Sequence, residues 1–380
     1  MLRSKLPNVG TTIFTVMSRM AQEHGAINLS QGFPDFDCPP RLRELVSHHL
    51  NDGKNQYPPM TGIPELRAQI AQKVNALYHY AADPETEVTV TSGATEALFD
   101  AVQAMVGPGD EVIVFDPAYD SYEPAVTLAG GRTVHVPMRV PDYCIDWERT
   151  RDAITPRTRM IIINSPHNPC GGILQQADLD TLAELIRERE IVVLSDEVYE
   201  HMVFDGRVHA SVLAHPELKE RSFAVFSFGK TYHATGWKLA YCVAPPALSH
   251  EFRKVHQFVT FTSTSFLQYA LADFLAECPE HAAELPAFYQ EKRDRFCTLL
   301  ADTRFRFAPS AGTYFQLVDY SEISDKTDTE FANWLTQEKG VAAIPLTPFY
   351  EVAPGTPVVR FCFCKDDATL TRAAEILRSL

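Results

Sequence analysis

The sequence predicts an α/β protein in which helices cover both faces of a doubly wound, mainly parallel sheet, with a smaller α+β unit attached. Between about residues 87 and 245, short β-rich apolar runs alternate with segments of helical periodicity. Several of the runs are apolar at every position, which is typical of strands buried on both faces. At 380 residues the chain is longer than one hydrophobic core usually supports, so we expect a second unit.

The apolar runs give the predicted strands of the large sheet, which are Glu87–Thr91, Glu111–Phe115, Arg159–Ile163, Ile191–Leu194, Phe223–Phe226 and Leu239–Val243. The helical segments that accompany them include Gly93–Val106, Gln176–Arg189 and Phe266–Ala276. After Pro286 the pattern changes to a long charged helix, short strands around Thr313–Val318 and Val358–Phe363, and a closing helix Asp366–Leu380. We therefore predict a large domain at 46–285 and a small domain formed by 1–45 and 286–380.

The composition of the chain restricts the class of ligand that it can bind. The sequence has 34 Lys and Arg against 49 Asp and Glu, a formal net charge of −15, which disfavours binding to nucleic acid or to an anionic membrane. No window is long and apolar enough to span a membrane, and the amino terminus lacks the apolar stretch of a signal peptide. We expect a cytoplasmic protein that binds a small molecule.

The eight cysteines show no CxxC pair and no His/Cys spacing of a zinc site, so we expect reduced thiols and no metal centre. Cys362 and Cys364 lie two apart in an apolar strand-like run, which places both on one face of the strand for core packing.

The stretch Ser227–Lys238, SFGKTYHATGWK, directly follows the predicted strand Phe223–Phe226. A lysine becomes a covalent catalyst towards carbonyl compounds when burial or nearby positive charge lowers its pKa. Lys230, between Gly229 and Thr231, fits this role. The ordinary alternative is that Lys230 and Lys238 are solvated surface lysines.

In an open parallel sheet the ligand lies beyond the carboxyl ends of the strands, so we examined the residues that follow each run. Ser92–Thr95 opens a helix after the first run, and free N–H groups there favour a phosphate, although a plain helix cap has the same appearance. The SGAT sequence lacks the GxGxxG spacing of a dinucleotide site, which disfavours a dehydrogenase.

Two further runs are followed by polar side chains. The loop NSPHNPCG after Arg159–Ile163 presents Asn168, although Asn and Pro are also ordinary turn residues. The segment SDEVY after Ile191–Leu194 presents Asp196 and Tyr199, although the carboxylate could simply cap a helix.

A reactive lysine, an anion-binding helix start, a carboxylate, an amide and a phenol are together the parts needed to hold pyridoxal 5'-phosphate. The motifs TSGATEAL, NSPHNPCG, SDEVYE and SFGKTYHATGWK, in this order and spacing, resemble those of the class I and II aminotransferases of fold-type I. The resemblance extends from Leu29–Asp35 to Val359–Phe361. It implies a mainly parallel seven-stranded sheet in the large domain, a smaller α+β domain, pyridoxal phosphate as the cofactor and a homodimer with shared active sites.

The resemblance also implies roles for individual residues. Lys230 matches the lysine that bonds covalently to the cofactor and moves a proton at the substrate α-carbon. Asp196 would pair with the pyridine nitrogen, and Asn168 and Tyr199 would bond to the ring hydroxyl. The phosphate would be held by Ser92, Gly93, Ala94, Ser227 and Lys238. Many relatives have arginine at the last of these positions, and a lysine there still supplies a point charge for phosphate.

Two tyrosines gain roles from the same resemblance. Tyr119 matches the aromatic residue that stacks on the pyridine ring, although a buried turn aromatic is the ordinary alternative. Tyr57 resembles the residue that reaches the phosphate of the neighbouring subunit, which would make the homodimer necessary for a complete site.

Arg360 is the candidate for the substrate α-carboxylate, because a guanidinium binds a carboxylate through two parallel hydrogen bonds. The alternative is an arginine in a surface salt bridge. Gly32 could offer its backbone N–H to the same carboxylate. No second arginine suits a distal carboxylate, and the expected pocket lining is apolar and aromatic, with Ile13, Phe14, Phe33, Tyr57 and Pro348–Tyr350.

The motifs QGFPDF, YPPMTG and GTYF most resemble the branch of the family that holds the bacterial methionine aminotransferases, close to the kynurenine and glutamine transaminases. This implies ping-pong transamination between a 2-oxo acid and methionine, phenylalanine, tyrosine, histidine or a kynurenine-like amino acid, with overlapping substrates. One alternative is a carbon-sulfur β-lyase, which would use the same cofactor residues.

A second alternative is a cofactor-sensing regulatory protein, which the lack of a helix-turn-helix extension disfavours. His201, His209 and His233 are expected to be structural or solvent-facing.

Overall fold

A seven-stranded sheet organises the larger part of the computed structural model, which describes residues 3–380. The strands of the protein, in chain order, are β1 (Ile27–Asn28), β2 (Val88–Thr91), β3 (Glu111–Asp116), β4 (Arg132–Pro137), β5 (Thr158–Asn164), β6 (Val192–Asp196), β7 (Ser222–Ser227), β8 (Ala240–Val243), β9 (Phe315–Asp319), β10 (Val341–Ala342), β11 (Ile344–Pro345) and β12 (Val358–Cys362). The large sheet has the order β2-β8-β7-β6-β5-β3-β4. Strand β8 is antiparallel to both of its neighbours and the other pairs are parallel. This mainly parallel sheet confirms the predicted fold class.

Each of the apolar runs identified in the sequence forms a strand of this sheet, with ends that differ by one or two residues. The edge strand β4 was not predicted. Its sequence, RTVHVP, alternates polar and apolar residues, and most of its side chains are exposed or half-buried. A search for continuously apolar runs finds strands covered on both faces and misses a half-exposed edge.

Helices cover both faces of the large sheet and surround the smaller sheets. In chain order they are α1 (Ile13–His24), α2 (Pro40–Asn51), α3 (Pro64–Tyr78), α4 (Ala94–Met105), α5 (Tyr122–Ala129), α6 (Trp147–Ala153), α7 (Gln176–Ile186), α8 (Phe228–Thr231), α9 (Pro246–Val259), α10 (Ser265–Glu277), α11 (Glu280–Leu300), α12 (Asp328–Trp334) and α13 (Asp367–Arg378).

The expectation that the long charged helix follows Pro286 was wrong, because α11 begins at Glu280 and contains that proline. A proline inside a helix costs one backbone hydrogen bond. The helix continues through it, and Leu285 and Tyr289 on either side of the proline are buried in the core.

The two faces of the large sheet are both buried. Val112 and Val114 of β3 pack in a cluster with residues of α4, α5 and α9, whereas Ile113 and Phe115 face a cluster that includes residues of α2, α3, α7 and α10. This alternation is the reason that the central strands are apolar at successive positions.

A third core cluster lies around the antiparallel sheet β11-β12-β9 and combines residues of α1, α11, α12 and α13. Cys362 and Cys364 belong to it, fully buried as free thiols with their Sγ atoms 3.1 Å apart. We propose that this cluster is the core of the small domain, and the domain limits at residues 45 and 285 stay a prediction.

Within residues 3–380, no helix combines the length and the apolar character needed to cross a membrane.

Candidate active site

A cavity of about 290 Å³ lies at the carboxyl ends of β5, β6 and β7, which contribute Asn164, Asp196 and Ser227 to its wall. This is the edge of a parallel sheet at which ligands of α/β proteins bind. Most of the site residues expected from the sequence line this one cavity, namely Phe14, Gly32, Gly93, Ala94, Tyr119, Asn168, Asp196, Tyr199, Ser227, Lys230, Lys238 and Arg360.

Seven of the expected residues lie outside its wall, namely Ser92, Phe33, Tyr57, Ile13 and the three residues Pro348–Tyr350. The Ser92 hydroxyl lies 3.0 Å from the Ser263 hydroxyl. Phe33 is 45% exposed, and its carbonyl accepts a hydrogen bond of 2.7 Å from Lys365 Nζ. Tyr57 is 85% exposed. The sequence patterns that contain these residues therefore do not bring their side chains into the cavity of the same chain.

Lys230 lies on the short helix α8, directly after β7, and its amine is buried. Its Nζ atom donates to Tyr314 Oη at 3.1 Å and to the Gly32 carbonyl at 3.3 Å. Burial lowers the pKa of Lys230 to about 8, because a charged amine is poorly solvated there. A substantial neutral fraction near physiological pH makes this amine a nucleophile.

Asp196 ends β6 and is buried at the bottom of the cavity. Its Oδ2 atom accepts a hydrogen bond of 2.7 Å from Tyr122 Oη, and the Val198 N–H points to its Oδ1 atom at 3.4 Å. Burial raises the pKa of Asp196 to about 6. A cationic partner would stabilise the carboxylate, and a protonated pyridine nitrogen is such a partner.

The amino end of α4 and Lys238 form a basic corner of the cavity. Gly93 precedes α4 with φ +91°, a conformation that favours glycine. A Cβ atom at Gly93 would lie 3.0 Å from Lys238 Cε and 3.1 Å from its Nζ, so the glycine admits the lysine beside the helix start. Helix N–H groups, the helix dipole and an ammonium together fit a phosphate dianion.

Arg360 of β12 is fully buried in the cavity wall. It donates to Asn168 Oδ1 at 2.6 Å and to the Ser30 carbonyl at 2.8 Å, while its Nε atom has no partner. Among residues 3–380 no carboxylate forms an ion pair with it, so the alternative of a surface salt bridge was wrong. A buried cation without an anionic partner fits a carboxylate ligand.

Aromatic rings surround this guanidinium. Its central carbon lies 3.8 Å from the ring centroid of Phe315 and 5.3 Å from that of Phe14. The Phe14 ring is in turn 6.5 Å from the Tyr119 ring and 5.6 Å from the Phe349 ring. The wall next to the Arg360 guanidinium is therefore apolar.

Sequence reasoning missed two tyrosines that hold the reactive groups. Tyr314 contacts Lys230 and donates a hydrogen bond of 2.5 Å to the Gly32 carbonyl, and Tyr122 holds Asp196. Tyr122 follows Tyr119 by three residues in the segment AYDSYEP, which was a usable signal. Tyr314 was visible only as part of the motif GTYF, since its neighbour Lys230 is distant in sequence.

The histidines expected to be structural or solvent-facing lie outside the cavity wall. His201 and His209 have side chains that are only 9% and 6% exposed, and His209 Nε2 lies 2.8 Å from Glu197 Oε2. Their side chains are therefore largely removed from solvent.

Comparison with known proteins agrees with this geometry. Residues 24–377 match the family model "Aminotransferase class I and II". The chain is 54% identical to the methionine aminotransferase of Escherichia coli, with 100% of this chain and 98% of the relative covered. A crystal structure of an Escherichia coli protein with an identified methionine aminotransferase function superimposes with a TM-score of 0.98, at 53% identity and complete coverage of both chains.

The kynurenine transaminases are more distant. Kynurenine–oxoglutarate transaminase 1 of the mouse is 32% identical, with 96% of this chain and 94% of the relative covered. The family inferred from the sequence motifs is thereby confirmed, and its members use pyridoxal phosphate. The chain belongs to the class I and II aminotransferases.

Proposed function

We propose that the protein binds pyridoxal 5'-phosphate and transfers the amino group of methionine or of an aromatic amino acid to a 2-oxo acid by a ping-pong mechanism. The observation that carries this proposal is that half-buried Lys230 and buried Asp196 and Arg360 line one cavity, since these are the three charges that such a reaction uses. The 54% identity to a methionine aminotransferase supports methionine as a substrate.

Different residues of the cavity would bind different parts of the cofactor. The amino end of α4, Ser227 and Lys238 line the cavity and would hold the phosphate, and Tyr119 would pack against the ring. Asn168 accepts a hydrogen bond from Arg360 through Oδ1, which leaves its amide N–H groups for the ring hydroxyl, where Tyr199 also donates. When bound, pyridoxal phosphate supplies an aldehyde for amino-group transfer and a ring that withdraws electrons from the substrate α-carbon.

Lys230 and Asp196 act on protons at opposite ends of this site. Asp196 keeps the pyridine nitrogen protonated. Lys230 would hold the cofactor through its aldehyde, and the free amine of Lys230 would remove and return the proton of the substrate α-carbon. Tyr314 and the Gly32 carbonyl would hold this free amine in place, because they are the hydrogen-bond partners of Lys230 in the structure.

Arg360 binds the substrate α-carboxylate and the aromatic wall selects an apolar side chain. Lys230, Lys238 and Arg360 supply the positive charge of the cavity wall within the described residues, and the proposal assigns each of them already. A substrate with a second carboxylate would therefore place a charge against Phe14 without compensation. Methionine and aromatic side chains fit this wall better.

The active unit in this proposal is a homodimer. Tyr57, Phe258 and Phe261 are large aromatic residues that are 85%, 84% and 44% exposed, and the rings of Tyr57 and Phe261 are 5.7 Å apart. Exposed aromatic surface of this kind is typical of protein interfaces. Its position supports the role of Tyr57 at the phosphate of the partner subunit.

Lys230→Ala tests the reaction directly. We expect the rate of 2-oxo acid formation from L-methionine to fall by about three orders of magnitude or more, because the covalent attachment and the proton transfer are both lost. The matched control is Lys254→Ala, which removes an exposed lysine paired with Glu251. Wild-type turnover in Lys230→Ala would refute the assignment. Pyruvate formation from cystathionine with no 2-oxo acid added as amino-group acceptor would instead favour the β-lyase.

The pKa of Lys230 can be measured on the cofactor-free protein. Acetylation at Lys230, followed by peptide mass spectrometry, should rise with pH and reach half its maximal rate at about pH 8, because only the neutral amine reacts. An ordinary lysine reaches this point near pH 10.4. A midpoint near the ordinary value would show that burial does not activate the amine.

Arg360→Met tests the carboxylate site. Methionine fills the buried space without charge, and we expect kcat/KM for L-methionine to fall roughly 30-fold to 1000-fold, as two charge-assisted hydrogen bonds are worth about 2–4 kcal/mol. Arg295→Met, at an exposed residue of α11 paired with Asp367, is the control. Equal kcat/KM values for the two variants would contradict the role of Arg360.

A further inference from the structure

A buried charged cluster lies outside the cavity, next to the helix that the cavity uses for the phosphate. It consists of Glu96 and Asp100 of α4 and His256 of α9. His256 Nδ1 lies 2.6 Å from Glu96 Oε1 and 3.5 Å from Asp100 Oδ2, and its Nε2 atom lies 2.9 Å from the Met60 carbonyl. Asp100 is completely buried and forms no hydrogen bond.

The histidine in this cluster is an imidazolium and not a metal ligand. Both ring nitrogens face acceptors, a carbonyl on one side and carboxylates on the other, so both carry protons and neither keeps a lone pair for a metal. Burial alone would lower the pKa of His256, but the hydrogen bond to Glu96 and the neighbouring Asp100 carboxyl group raise it to about 9.

Glu96 connects this imidazolium to the phosphate turn. Its Oε2 atom accepts the backbone N–H of Ser92, the residue directly before Gly93. Its Oε1 atom accepts from His256 and from Thr260 Oγ1, both at 2.6 Å. The orientation of the turn before α4 therefore depends on a carboxylate that His256 holds.

His256 also connects α9 to the segment that carries Tyr57. The Met60 carbonyl accepts from its Nε2 atom, and the neighbouring Pro59 carbonyl accepts from Thr262 Oγ1 at 3.0 Å. The Tyr57 ring itself packs edge-on against Phe261 in the same loop after α9. One side chain thus links two segments that are more than thirty residues apart in sequence and that the proposed function assigns to phosphate binding.

We propose that His256, held between Glu96 and the Met60 carbonyl, is a positioning residue that sets the phosphate turn 92–94 and the Tyr57 segment in the geometry that binds the cofactor phosphate. Burial raises the pKa of Asp100 to about 7, so Glu96 is the carboxylate that keeps the ring protonated. This inference rests on the proposed function, but it concerns cofactor affinity and not the chemical step.

His256→Gln tests it, because glutamine keeps one amide donor and cannot carry the charge. We expect the Kd of pyridoxal phosphate to rise about tenfold and the Kd of inorganic phosphate for the cofactor-free protein to rise in parallel, as one charged hydrogen-bond network is weakened. With saturating cofactor, kcat for L-methionine should fall less than threefold, since Lys230, Asp196 and Arg360 are untouched. Both affinities are measured by fluorescence titration at a fixed salt concentration.

The matched control is His49→Gln, which removes a buried histidine whose Nε2 atom lies 2.7 Å from Asp273 Oδ2, away from the cavity. An equal rise in the Kd of pyridoxal phosphate for both variants would mean that His256 has only a general structural role, and it would overturn the proposal. An unchanged Kd in His256→Gln would also overturn it. If the wild-type protein contained stoichiometric zinc and the His256→Gln variant did not, His256 would be a metal ligand and its assignment as an imidazolium would be wrong.

Thr260→Val serves if His256→Gln does not fold. Thr260 is exposed, and its loss removes one hydrogen bond to the same oxygen of Glu96. We expect a rise of about threefold in the Kd of pyridoxal phosphate, and an unchanged Kd would overturn the proposal. Failure of the proposed function is distinguishable, because then the wild-type protein would not transaminate at any cofactor concentration.

Discussion

The site depends on the burial of three charged side chains that do not pair with one another. Lys230, Asp196 and Arg360 line one cavity, and within the described residues none of them forms an ion pair. Removing a charge from water costs free energy and favours the neutral form of the group. This effect lowers the pKa of Lys230 to about 8 and raises the pKa of Asp196 to about 6. A ligand with an aldehyde for Lys230, a protonated ring nitrogen for Asp196 and a carboxylate for Arg360 would offset this free-energy cost at each side chain. The cavity is in this sense complementary to a cofactor and an amino acid together.

The fold positions these groups through two different sheets. The carboxyl ends of β5, β6 and β7 bring Asn164, Asp196 and Ser227 to one edge, because parallel strands end on the same side. Arg360 comes from β12 in the antiparallel sheet and stacks on Phe315 of β9. In the proposed function, substrate binding therefore requires that the small sheet pack against this edge, whereas Lys230 and Asp196 come from the large sheet.

The parts of the fold and site that the sequence predicted are those with local signals. Strands covered on both faces are continuously apolar, so β3, β5, β6 and β7 were found, whereas the half-exposed edge strand β4 was not. Lys230 and Asp196 follow strands directly and could be placed by topology. Tyr314 could not be placed, because its contact with Lys230 joins residues 84 positions apart. The hydrogen bonds that link Glu96 through His256 to Met60 could not be predicted for the same reason, since no local sequence pattern marks a partner that comes from another helix.

The most direct test of the account is the absorption spectrum of the protein reconstituted with pyridoxal phosphate, recorded before and after addition of L-methionine alone. The account predicts a visible band from the lysine-bound cofactor that moves to the shorter wavelength of pyridoxamine phosphate, together with one equivalent of the 2-oxo acid of methionine. A protein that shows no visible band with saturating pyridoxal phosphate, or a band that L-methionine leaves unchanged, would contradict it.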